Sequence, residues 1–156
     1  MFSNQDYVSS MTKLVLTLRR KCAHRDSQLV HILGIHNSEY LCLVQFLDRD
    51  TIGVKQLAKQ LEITSGGVTR ILTSLEDKGI IKRRISREDR RNINVHLTRK
   101  GKAMVDHVRQ ESCDLHAEIL NHFEPDHQRP LMNAIDQLIK AIDKWLATHE
   151  PKADTA

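Results

Sequence analysis

The sequence is poor in several things, and each shortage excludes something. No apolar run approaches the roughly 20 residues that a bilayer-spanning helix needs. Cysteine occurs three times, as Cys22, Cys42 and Cys113, too few and too scattered for a disulfide framework, which fits a reducing compartment. The first residues hold no basic stretch followed by an apolar one, so no secretion leader is expected. A cytoplasmic protein without a membrane partner is expected. Only three Phe, two Tyr and one Trp are present, which argues against an aromatic-rich promiscuous pocket. There is no Gly-rich phosphate loop, no Gly-x-Ser-x-Gly elbow and no spaced carboxylate pair, so an enzyme is not expected. Internal repeats and low-complexity segments are also missing.

What the chain does have is an uneven charge. Residues 54–101 hold 12 Lys/Arg against 5 Asp/Glu, a net +7, whereas residues 1–53 are net +1 and residues 102–156 net −4. A basic centre between neutral and acidic flanks marks a localised anion-binding surface. The length of 156 residues suits one domain.

Apolar periodicity predicts a helix over residues 4–24, with Val8, Met11, Val15, Leu18 and Cys22 on one face, then a loop turning at Gly34. A second helix is expected over 37–48, capped by His36 or Asn37, with Tyr40, Leu41, Val44 and Phe46 or Leu47 inward. A short helix over 54–61 and another over 65–78 follow, the latter capped by Thr64 or Ser65 and stopped by Gly79. The period then changes to two: Ile80–Ile85 and Asn92–Leu97 read as strands joined by a basic tip. Two long helices, over 98–122 and 126–148, close the chain on either side of Pro125. Their stripes, Val105 to Phe123 and Leu131 to Trp145, and that of the first helix need partners, and a second copy of the chain would cover them.

The central block fits a helix-turn-helix. Leu57, Ala58 and Leu61 form the inner face of its first helix, Ile63 is expected to plug the turn, and Val68, Ile71, Leu72 and Leu75 anchor its second. At 100° per residue the opposite face presents Ser65, Gly66, Thr69, Arg70 and Thr73. Such a short, polar, cationic face can enter a major groove, where Arg reads guanine and Thr meets a thymine methyl or a phosphate. The hairpin carries Lys82, Arg83 and Arg84 on its stem and Arg87, Arg90 and Arg91 at its tip, a composition suited to a narrow minor groove. Asp89 would hold a tip arginine in place by pairing with Arg91 or Arg70. The expected partner is double-stranded DNA; the alternative, an adaptor that binds only protein, gains nothing from the basic centre.

The runs Leu57-Ala58-Lys59-Gln60-Leu61, Gly67 to Ile81 and Asp89-Arg90-Arg91 through Leu97-Thr98-Arg99-Lys100-Gly101 resemble the MarR family of bacterial regulators. Asp-Arg-Arg before a strand ending in Leu-Thr-x-x-Gly is the most specific part. The resemblance implies a mainly α (α+β) chain, a single domain over 1–156. Within it 37–101 would form a winged helix-turn-helix lobe, and 1–36 and 102–150 the dimerisation helices. It also implies an obligate homodimer that sets two recognition helices in successive major grooves of a pseudo-palindrome, with Arg90 or Arg91 reaching the minor groove. His36-Asn37 departs from the Thr or Ser that opens the second helix in many members. A ligand-responsive repressor is the expected role.

The effector is less legible. A small molecule would sit in a crevice lined by Arg20, His24, His36 and Tyr40. No cofactor is expected. His107 with Glu111 and Cys113 with His116 share helix faces, and His31 is placed in the loop after the first helix, but no His-x-x-x-His or Cys-x-x-Cys pair supports a metal site. Cys22, beside Arg19, Arg20, Lys21 and Arg25, is the best candidate for a redox thiol, and Cys42 reads as core.

Overall fold

The computed structural model describes residues 4–86 and 91–149. It divides into two compact units at Gln110/Glu111, within one long helix. Helix α1 (Asn4–Leu33) runs nine residues past the expected end. Nothing between Arg25 and Leu33 breaks it, since the stretch holds neither Pro nor Gly. It stops at Gly34, whose φ of +63° suits only glycine without strain. There Ile35 N–H donates to Val30 O and Gly34 N–H to His31 O, the double bond pattern of a glycine-closed helix end. His31 therefore lies in the last turn of α1, not in a loop.

Helix α2 (Asn37–Leu43) is shorter than expected and tightens into a 3-10 turn over Val44–Phe46. Tyr40, Cys42, Leu43 and Phe46 point inward, and Leu41 is exposed. A three-residue strand, β1 (Thr51–Gly53), was not foreseen; it pairs antiparallel with β3, Ile52 opposite Val95. Helix α3 (Val54–Leu61) ends at Glu62, which takes a left-handed φ of 53°. Ile63 follows and is 37% exposed, so it does not plug the turn as expected. Helix α4 (Ser65–Asp77) starts where Thr64 Oγ1 accepts from Gly67 N–H at 3.2 Å, and ends before Gly79 at φ +68°.

Strands β2 (Ile81–Ile85) and β3 (Ile93–Leu97) form the hairpin, giving the sheet order β1-β3-β2, all antiparallel. Leu43, Phe46, Ile52, Leu57, Val68, Leu72, Leu75, Ile81 and Val95 are buried in one core, reached also by Val105 and Val108 of α5 (Arg99–Asn121). Thr98 opens α5: its hydroxyl accepts from Gly101 N–H and donates to the carbonyls of Gly79 and Ile80. A Cβ on Gly101 would stand 2.1 Å from Ile80 O, which explains the glycine in Leu-Thr-x-x-Gly.

The second unit holds the rest of α5 and α6 (Pro125–His149). Pro125 is the first residue of α6, where its missing N–H costs nothing. Gln128 Nε2 donates to the carbonyls of Leu120 and Phe123 and pins the turn between the helices. No residue of α6 is buried. Met132, Ile135, Ile139, Ile142 and Trp145 stand exposed at three- and four-residue steps. In α1, Val8, Met11 and Leu18 are likewise exposed.

Candidate nucleic-acid interface

The face expected to read DNA is built by the inward face of the same helix. Val68, Leu72 and Leu75 are buried to 1% exposure or less and Ile71 is half-buried, which fixes which side of α4 faces the core. Ser65, Gly66, Thr69, Arg70 and Thr73 consequently all lie exposed. Thr69 Oγ1 donates back to Ser65 O at 2.8 Å, which orients its methyl and oxygen. A Cβ on Gly66 would meet nothing within 4 Å, so packing does not demand glycine there; its absent side chain leaves the backbone N–H open to an approaching anion.

The hairpin stem divides by strand alternation. Lys82 and Arg84 are exposed, whereas Arg83 turns toward α4 and is half-buried. Arg83 Nε lies 2.8 Å and Nη2 2.6 Å from Glu76 Oε2, its backbone N–H donates to Glu76 Oε1, and Nη2 reaches Thr73 Oγ1 at 3.3 Å. These donated bonds hold the Glu76 carboxyl below its ordinary value. Arg83 thus joins the hairpin to α4 and does not extend the free basic surface expected of the whole stem. Arg91 is exposed at the far end of the hairpin. Arg87, Asp89 and Arg90 lie outside the described residues. Ser86 N–H donates to Asn92 O at 2.8 Å and closes the ladder before the tip. A crevice of about 540 Å³ lies beside the hairpin, lined by Val54, Lys55, Gln56, Arg91, Asn92 and Asn94 among others.

Behind α4 sits a residue that sequence reasoning missed. Glu39, 1% exposed, accepts from His36 N–H at 2.7 Å, from Ser74 Oγ at 2.6 Å and from Lys78 Nζ at 2.6 Å. Burial pushes its carboxyl up, but the bonds from Lys78, Ser74 and His36 together with the Lys78 charge outweigh that and leave it below the ordinary value. The signal available in the sequence was weak: Glu39 stands three residues after the helix cap, where a carboxylate returns to the cap N–H.

Of the residues proposed to line an effector crevice, Arg20, His24 and His36 are exposed. Tyr40 is 4% exposed, and its hydroxyl donates to Asp26 Oδ1 at 3.1 Å with Arg25 Nη1 at 3.4 Å. Burial, then the Asp26 charge, pushes its phenol up. None of the four lines the crevice beside the hairpin or a second one of about 600 Å³ formed by Phe46–Asp50 and the first turns of α5. Among the described residues no three His, Cys, Asp or Glu side chains gather as a metal site; His107, Glu111, Cys113 and His116 are all exposed. Cys22 and Cys113 are exposed free thiols. Cys42 is fully buried, and burial followed by the Glu39 carboxylate pushes its thiol up to about 12, which keeps it protonated and inert.

Comparison with known proteins agrees with this geometry. The model of the MarR family matches residues 35–93. The HTH-type transcriptional regulator YdgJ of Bacillus subtilis is 30% identical over 110 residues, 70% of this chain and 67% of that protein. The organic hydroperoxide resistance transcriptional regulator of the same organism is 27% identical over 119 residues, 76% of this chain and 78% of that protein. Among solved structures, a MarR family protein from Bacillus stearothermophilus superposes with a TM-score of 0.82 at 15% identity, over 91% of this chain and 99% of that one. The S. aureus MepR chain in its DNA complex gives 0.67 at 18% identity, over 85% and 97%. At these identities the structures show a shared fold.

Proposed function

The chain belongs to the MarR family of transcriptional regulators, and on that footing we propose that it binds double-stranded DNA sequence-specifically, as a homodimer acting as a ligand-responsive repressor. One observation carries the reading: α4 buries Val68, Leu72 and Leu75 and so turns Ser65, Gly66, Thr69, Arg70 and Thr73 outward together. A helix with this polar face fits the major groove, Arg70 forking to guanine O6 and N7 and the threonines meeting a methyl or phosphate. Lys82, Arg84 and Arg91, together with Arg87 and Arg90, supply the cations that grip the backbone and minor groove. Asp89 would steady the tip by pairing with Arg91 or Arg70.

Burial supports dimerisation. The exposed apolar rows of α1 and α6 are too long to remain in water on a stable monomer, and a second copy covers them with the same residues. Two copies of α4 then address two half-sites about one helical turn apart. A protein lying across two successive grooves excludes others from that stretch, which supports repression. An effector binding near Arg20, His24, His36 and Tyr40 would act where α1 meets α2. A titration of duplex DNA against salt tests the reading. Affinity falls steeply as log salt rises, with a slope of about −0.9 per neutralised phosphate. The absence of duplex binding at low salt would favour a protein-binding adaptor.

A further inference from the structure

Apolar contacts fix which side of α4 faces the core but do not set its fine rotation, because hydrophobic burial has no direction. Hydrogen bonds do. The carboxylate of Glu39 accepts two of them from α4 and its C-terminal cap, from Ser74 Oγ and Lys78 Nζ, and a third from His36 N–H at the N-terminal cap of α2. Ser74 stands one turn beyond Arg70 on the same helix, so a roll of α4 that displaced Arg70 would also break the Ser74 bond. The next residue of α2, Tyr40, points elsewhere, since successive helical side chains diverge by 100°. It meets Asp26 and Arg25 of α1. Two consecutive residues of a seven-residue helix thereby tie α1 on one side and α4 on the other.

We propose that Glu39 is the positioning residue of the reading helix: its buried carboxylate sets the rotation at which Thr69 and Arg70 are presented, and with Tyr40 makes that rotation answer to α1. The proposal rests on α4 being the element that reads DNA.

Glu39→Gln, Lys78→Met, the double variant and Ser74→Ala test it in the full chain. Two readouts are used. One is backbone amide exchange; the other is affinity for a duplex that the wild type selects from a random-sequence library, set against a shuffled duplex of equal composition. In Glu39→Gln the selected duplex is bound about tenfold more weakly and the shuffled one less than about twofold. Amides of Thr69–Thr73 exchange faster while those of Val105–Val108 do not change. Lys78→Met shows the same pattern, the double variant adds nothing to it, and Ser74→Ala, the mildest change, shows it in part. Equal loss on both duplexes with faster exchange throughout would reduce Glu39 to a stabilising residue and overturn the proposal, as would unchanged exchange and affinity. If the wild type selects no duplex, the DNA reading fails by itself. Exchange within α4 then decides the positioning claim alone, acceleration confined to α4 upholding it and no change overturning it.

Discussion

The ammonium of Lys78, at the C-terminal cap of α4, lies 2.6 Å from Oε2 of Glu39, a carboxylate almost closed to solvent. The pair makes stability depend on acid. In the unfolded chain this carboxyl titrates near its ordinary value of 4.5, and in the folded protein below it. The unfolded chain therefore takes up the proton first as pH falls. The contribution of the pair is complete above the unfolded value and disappears as pH drops through the folded one. Urea denaturation at about pH 7 and about pH 3 checks this: the wild type loses more stability between the two than Glu39→Gln does.

Two glycines respond oppositely to alanine. At Gly101 the added Cβ would stand 2.1 Å from the Ile80 carbonyl, so α5 must shift away from the hairpin. Gly101→Ala costs about 1–3 kcal/mol in chemical denaturation. At Gly66 the added methyl meets open space. Gly66→Ala leaves stability unchanged or raises it by up to about 1 kcal/mol. It weakens duplex binding, because the methyl stands where a phosphate would approach the backbone.

Dimerisation through the apolar row of α6 is open to direct test. Ile139 and Ile142 are 53% and 44% exposed in the single chain. Ile139→Glu with Ile142→Glu places charge on that row. Sedimentation should find the wild type as a dimer and the variant as a folded monomer at micromolar concentration, with helical circular dichroism retained. A variant that still sediments as a dimer would remove α6 from the interface.

Periodicity made much of this architecture legible. Val68, Leu72 and Leu75 recur at helical steps, Ile81 and Val95 lie within alternating strands, and Gly79 marks a helix end by its freedom to take positive φ. From those positions the outward face of α4 followed by geometry alone. Other features were hidden because their causes are not local. Thr51–Gly53 is too short for any period, and it is a strand only because Val95 lies opposite Ile52. Glu39 would be assigned to the surface by its type, and its partners Ser74 and Lys78 are 35 and 39 residues away. Arg83 looked like one more wing cation until the fold set Glu76 beside it. The far part of α1 opens on the polar run Arg25–Gln28, which hides the continuation of the helix into Leu29, Val30 and Leu33, the residues that pack on the core.

Arg70 offers the most direct test of the central claim. It lies exposed midway along the outward face of α4, where an arginine fork matches a guanine edge. Affinities of wild type and Arg70→Ala are to be measured side by side on the duplex selected by the wild type and on a shuffled one. The account predicts that Arg70→Ala loses about 1–3 kcal/mol on the selected duplex and little on the shuffled one, so that discrimination narrows. Equal affinities of the two proteins on both duplexes would contradict it.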